Sequence, residues 1–237
     1  MPPNDICLVC RRRPKRTDYQ FCSNRCTGIA MRKAPQLMRV LKEHVFYKNI
    51  KMMFAKNWHD KEKNLATIVK IYLITWTASQ HSSFEKYRER VAKLRKIPKG
   101  KAKEIKSFHS ERRASAVDCL AICSAFKSSL DYKRKMVHAN TTSGIHFGGG
   151  VYMVPASNKA FQYAVNLSKG SNYLTTLVTR TVLGNMQLLM AEQHHRLAPN
   201  KGYDSVKAHT QNDPWEYVTY NKDAVRPAYL VVVNKPK

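Results

Sequence analysis

Four cysteines near the N-terminus stand in two close pairs, Cys7-Leu8-Val9-Cys10 and Cys22-Ser23-Asn24-Arg25-Cys26. Two such pairs joined by a short loop supply the four thiolates of a tetrahedral zinc site. The first pair suits a tight knuckle. The three-residue gap in the second places both sulfurs on one face of an opening helical turn. Four thiolates on one Zn²⁺ leave a local charge of minus two, which Arg11, Arg12, Arg13, Lys15, Arg16 and Arg25 offset. The spacing predicts a small treble-clef-like zinc finger over residues 1–30, with Cys7, Cys10, Cys22 and Cys26 as ligands and the metal structural. The competing reading is two unrelated thiol pairs in a reducing compartment. Cys119 and Cys123 form a further three-residue spacing without obvious partners and read as buried or free thiols rather than a second metal site.

A second constellation runs from Gly148 to Tyr163, Gly-Gly-Gly-Val-Tyr-Met-Val-Pro-Ala-Ser-Asn-Lys-Ala-Phe-Gln-Tyr. The glycines leave the backbone without side-chain cover, which suits close approach of a flat ligand. Tyr152 lies on a short strand and Tyr163 in a helix that begins near Ser157. Two such rings can face each other across a planar group. Taken alone, tyrosines beside glycines are more often packing residues.

The elements that would position these residues follow from the hydrophobic pattern. From Met31 to about Val91 the spacing of Leu37, Val40, Leu41 and His44, and of Ile68, Ile71, Tyr72 and Thr75, predicts helices with basic outer faces. Trp58, Trp76 and Phe84 read as core. Residues 92–106 form a charged linker in which Pro98 and Gly100 break any helix. Beyond it the pattern predicts a strand at Ile105–His109, a helix around Ala114–Leu130 and a helix near Asn158–Leu167. It also predicts strands at Tyr173–Val182, Tyr203–Val206, Glu216–Tyr220 and Tyr229–Val233. The result is a β-rich α+β domain over 105–237, preceded by a basic helical region and linker over 31–104.

The formal net charge is +26 at pH 7. Residues 1–106 hold 26 Lys and Arg against 8 Asp and Glu, and the rest of the chain 16 against 8. The excess is therefore concentrated in the first half, and it predicts attraction to polyanions, nucleic acid (DNA or RNA) before anionic membrane. The longest apolar stretch, Ala66 to Ala78, is interrupted by Lys70 and too short to span a bilayer. The N-terminus has no apolar signal core, so a nuclear or cytoplasmic chain is expected rather than a secreted one. Arg11 to Arg16 also fits a nuclear import signal.

Three further pieces fall in a telling order: Ser107-Phe108-His109-Ser110, then Gly150-Val151-Tyr152, then Trp215-Glu216-Tyr217-Val218-Thr219-Tyr220-Asn221. Gly202-Tyr203-Asp204-Ser205-Val206 and the ending Ala224-Val225-Arg226-Pro227-Ala228-Tyr229-Leu230-Val231 accompany them. From roughly Ile105 onward the chain resembles the catalytic domain of the poly(ADP-ribose) polymerase-like ADP-ribosyltransferases of the His-Tyr-Glu type. It looks closest to fungal forms with a cysteine finger in front.

The resemblance implies an ADP-ribosyltransferase fold and NAD⁺ as substrate, with a protein or nucleic acid as acceptor. It implies His109, Tyr152 and Glu216 as the catalytic set. His109 would hydrogen-bond NAD⁺, Tyr152 and Tyr163 would sandwich the nicotinamide, and Glu216 would hold the 2′-hydroxyl of its ribose. Two positions depart from the family pattern. Ser110 replaces the glycine whose backbone binds the nicotinamide amide, and Ala160 replaces a serine that hydrogen-bonds the same amide. Asn158 and Ser157 stand nearby as replacements. The alternative reading is a nucleic-acid-binding protein on the same fold with weak or no activity, or a structural part of a nucleoprotein particle.

Overall fold

The computed structural model describes residues 4–59, 65–98, 102, 104–110, 146–164, 171–209 and 215–235. In chain order the elements are α1 (Asn24–Arg32), β1 (Leu37–Val40), α2 (Val45–Lys56), β2 (Ile68–Ile74), α3 (Ala78–Leu94), β3 (Glu104–His109), β4 (Val151–Met153), α4 (Ser157–Gln162), β5 (Tyr173–Val182), β6 (Met186–Leu189), β7 (Ser205–Ala208), β8 (Glu216–Thr219), a 3₁₀ turn (Lys222–Ala224) and β9 (Val225–Asn234). The fold is mixed α+β. The expected helix around Ala114–Leu130, with Cys119 and Cys123, lies outside the described residues.

Five strands form one sheet in the order β1-β2-β9-β5-β3, and four form a second in the order β4-β8-β7-β6. The first is antiparallel throughout, and in the second only the β6–β7 pair is parallel. β9 is buried at every position except Asn234, because β2 and β5 flank it and other layers cover both faces. This explains its near-continuous apolar run, Tyr-Leu-Val-Val-Val.

The helical reading of residues 31–91 is corrected in two places. Leu37–Val40 and Ile68–Ile74 are strands, and β2 sits inside the sheet, pairing Ile71 with Val231 and Tyr72 with Leu230. Ile68, Ile71 and Tyr72 are spaced as on a helix face, but their β-branched and aromatic side chains favour a strand where both faces find cover. The segment therefore mixes helices with two strands. α2 and α3 are true amphipathic helices. Tyr47, Ile50 and Phe54 are buried on α2, while Lys48, Lys51 and Lys56 are exposed. α3 starts at a capping box formed by Thr77 and Gln80 and buries Phe84, Tyr87 and Val91.

One core joins Cys7, Leu8 and Phe21 of the cysteine module to Phe54, Ile71, Phe108, Phe161 and Val231. Phe54 makes edge contacts with both Phe108 and Phe161 at ring distances of 6.0 and 5.7 Å. Among the described residues no helix is long and apolar enough to cross a membrane.

Candidate functional site

The two sheets are stitched where β3 ends. Phe108 and Val154 exchange backbone hydrogen bonds of 2.8 and 2.9 Å. The next residue, His109, is 4 % exposed, and its Nδ1 lies 2.6 Å from the carbonyl oxygen of Tyr152. An imidazole bonded to a carbonyl must carry its proton on that nitrogen. Thr176 donates to the His109 carbonyl at 3.3 Å and steadies the strand end from β5.

Tyr152 is held at its hydroxyl, which accepts from the Phe147 amide at 2.9 Å and donates to the Gly148 carbonyl at 2.8 Å. Burial is the main cause that raises its pKa, with Tyr220, Glu216 and Tyr163 adding to it. The ring therefore stays a neutral phenol. The glycine run serves this anchor rather than lying open to a ligand. Gly148 has φ +80°, and a Cβ there would stand 1.9 Å from the Arg196 carbonyl oxygen. The Gly149 amide donates to that same carbonyl at 3.1 Å. Close approach is required, but by the Arg196 backbone.

The β4–β8 register pairs Tyr152 with Val218 and Met153 with Tyr217. Glu216, two residues before Val218, lies on the strand face that Val218 shares with Tyr152. Glu216 is 6 % exposed. Its Oε1 accepts from the Tyr163 hydroxyl at 3.0 Å and pairs with Lys159 Nζ at 3.1 Å. Lys159 is 1 % exposed. Lys159 and Tyr163 are four residues apart on α4 and its C-cap, so both reach the same carboxylate. Sequence reasoning missed Lys159. Its spacing to Tyr163 was the available signal, but a lysine on a short helix ordinarily points to water.

α4 is itself fixed from α2. The Ser157 hydroxyl donates to the Phe54 carbonyl at 2.8 Å, and the Asn158 side-chain Oδ1 accepts from the His59 amide at 3.2 Å. The polar atoms expected to stand in for a missing serine at Ala160 are thus engaged elsewhere, and Ala160 is fully buried. Ser110 is 9 % exposed, and its Oγ has no hydrogen-bond partner among the described residues. The structure therefore gathers Tyr152, Tyr163 and Glu216, together with Lys159, and sets His109 against the Tyr152 backbone.

The four N-terminal cysteines converge. Their sulfurs all lie within 4.8 Å of one another, with Cys10–Cys22 and Cys22–Cys26 both at 3.6 Å. The chain turns tightly at Arg11 (φ 52°), and Ile6 and Pro14 form a bridge across the loop. Ser23 then caps α1 by accepting from the Cys26 amide at 3.2 Å. Backbone amides of Arg12 and Arg13 lower the Cys10 pKa to about 6, while desolvation raises that of Cys22. Four sulfurs so placed can hold a metal ion. Comparison of the chain with protein-family models and with curated proteins finds no match.

Proposed function

We propose that this protein is an NAD⁺-dependent ADP-ribosyltransferase brought to nucleic acid by its basic N-terminal half. The observation that carries the reading is Glu216, a buried carboxylate held from two sides beside Tyr152. In ADP-ribosyl transfer the bond between nicotinamide nitrogen and ribose C1′ breaks. Both electrons leave with neutral nicotinamide, and positive charge develops on the ribose. The acceptor then bonds to C1′ and releases a proton. A fixed carboxylate at that ribose stabilises the cation without reorganising. Lys159 and Tyr163 keep Glu216 in one orientation, and Tyr163, 37 % exposed, is accessible to a planar ring. The Tyr152 carbonyl holds the His109 ring in one orientation through Nδ1.

The thiolate cluster fits structural Zn²⁺. A tetrahedral site with Zn–S bonds of about 2.3 Å has sulfurs about 3.8 Å apart, close to the 3.6 Å contacts seen. The knuckle, bridge and capped helix support a treble-clef-like form. Metal analysis should find about one zinc per chain, lost in Cys22→Ser. A disulfide or a metal-free cluster would sink this part.

A second reading, a nucleic-acid-binding protein without turnover, is favoured by Ala160. The Ser157 hydroxyl and Asn158 Oδ1 are engaged elsewhere, and loss of the serine hydrogen bond at Ala160 weakens NAD⁺ binding by on the order of 1 kcal/mol. Nicotinamide release from NAD⁺, with and without DNA or RNA, decides between them. Turnover that is lost in Glu216→Gln supports the transferase. Nucleic acid binding with no turnover under any condition supports the second reading.

A further inference from the structure

Among the described residues Arg226 has no carboxylate within ion-pair distance. It lies on β9, 7 % exposed, opposite Arg180 of β5 in the sheet register. Its Nη1 lies 3.2 Å from His81 Nδ1, and its guanidinium sits 5.1 Å from the centre of the Phe84 ring. Its Nε is buried and has no hydrogen-bond partner among the described residues. The neighbouring carboxylates are committed elsewhere. Glu104 takes Arg180 through two contacts and Arg88 at 3.7 Å, and Glu85 takes Arg88. Among the described residues three arginines thus share two glutamates.

These arginines line a cavity of about 470 Å³ between the cysteine module and the five-stranded sheet. Tyr19 and Trp76 contribute aromatic surface to its wall. The Trp76 indole is pinned by a 2.7 Å hydrogen bond from Nε1 to the Pro227 carbonyl. Two carboxylates also line the cavity: Glu85, which is paired with Arg88, and Asp18, which is exposed and screened by solvent. Burial, followed by the nearby Arg180, pulls the Arg226 pKa down to about 10. The guanidinium remains charged at neutral pH, and among the described residues no carboxylate pairs with it directly.

We propose that this cavity is a nucleotide-phosphate site, in which Arg226, Arg180 and Arg88 take the phosphate and the Trp76–Tyr19 wall takes the base. Planar guanidinium groups match phosphate oxygens in pairs, and aromatic faces stack on any base. The volume is in the range of small-molecule sites. The cavity shares no residue with the Glu216 cluster, so the inference stands without the transferase reading.

The test uses the full zinc-loaded chain and calorimetric titration with adenosine 5′-monophosphate, adenosine and inorganic phosphate. Paired oligonucleotides bearing a 5′-phosphate or a 5′-hydroxyl distinguish the source of the phosphate. The monophosphate should bind at least about tenfold tighter than adenosine, the scale of one charge-assisted contact. That preference should vanish in Arg226→Gln and in Arg88→Gln. Arg88 is partly exposed, so its variant still decides if Arg226→Gln fails to fold. A matching preference for the phosphorylated oligonucleotide identifies a strand end as the ligand, and its absence identifies a free nucleotide. Equal binding of adenosine and its monophosphate overturns the proposal. So does a preference that survives in both folded variants, because the phosphate would then be bound elsewhere.

Discussion

Lys159–Glu216 is a buried charge pair, and Arg88–Arg180–Arg226 is a half-buried cluster around the buried Arg226; among the described residues only the first is balanced. Lys159 meets one carboxylate at 3.1 Å, with a tyrosine hydroxyl completing the contact. In the second, two glutamates serve three guanidiniums, and Arg226 makes do with an imidazole and a phenyl ring. Removing a charge from water costs several kcal/mol unless a partner compensates it. A balanced pair is therefore a device for holding a side chain in place, and an unbalanced one is a device for attracting a counterion. The first arrangement suits a carboxylate that must not move, and the second suits a site that is completed by its ligand.

The largest expected effects test the balanced side. Glu216→Gln should lower NAD⁺ turnover about 100-fold or more, because it removes charge from the transition state. It also takes the Glu216 carboxylate from the buried Lys159 ammonium, which lowers stability. The double variant Lys159→Met, Glu216→Gln separates the two effects. Chemical denaturation should show stability largely recovered, while nicotinamide release stays low. Recovery of turnover along with stability would mean that the charge of Glu216 is not used.

The unbalanced side should answer differently to the same operation. Lys159→Met alone leaves a buried carboxylate without its cation and should cost about 3–5 kcal/mol. Arg226→Met removes a charge that has no carboxylate and should cost no more than about 1 kcal/mol, since the methionine keeps the contact with Phe84. Equal losses in the two variants would erase the distinction between the clusters.

Gly148 tests how firmly the balanced site is walled. Alanine there meets both a positive φ and a backbone oxygen at 1.9 Å. The strain and overlap together should cost more than about 2 kcal/mol. Gly202 also has positive φ (+96°) but nothing within 4 Å of its Cβ position. Gly202→Ala should cost only the dihedral part, about 1–2 kcal/mol. Thermal unfolding of the two variants checks the difference. If Gly148→Ala is the milder, the Arg196 loop does not brace Tyr152.

How much of this was legible in the sequence depended on the range of the contacts. The cysteine cluster was legible because the ligand spacing is local and the chemistry dictates it. β5 and β9 were legible because their runs of Val, Leu and Thr are long and buried on both faces. β2 was misread because Ile68, Ile71 and Tyr72 satisfy a helical spacing as well as a strand. Its neighbour β9 lies more than 150 residues away and leaves no local mark. Lys159 was missed for the same reason. Its burial is decided by Glu216 on β8, and nothing around position 159 announces it. The arginine imbalance was invisible because Arg88, Glu104, Arg180 and Arg226 meet only after β3, β5, β9 and α3 pack together.

The smallest expected effect concerns His81, at the edge of the unbalanced cluster. Burial, then Arg226, lowers its pKa below the ordinary 6.5, with Arg180 adding to the effect and Glu85 opposing it. Arg226 Nη1 can donate to Nδ1 only while that nitrogen carries no proton. A folded-state pKa below the unfolded one means the contribution is complete above pH 6.5. It is lost as pH falls through the folded value. His81→Gln should therefore flatten the fall in Tm between pH 6.5 and 5. The His81 side chain is 37 % exposed, so the effect should stay below about 1 kcal/mol. His44, whose pKa burial also lowers, titrates in the same window in both proteins and cancels from the difference. Adenosine 5′-monophosphate supplies the missing negative charge, so its addition should flatten the wild-type slope and leave His81→Gln nearly unchanged. A wild-type slope indifferent to the nucleotide would show that the positive excess around Arg226 is not where the phosphate goes.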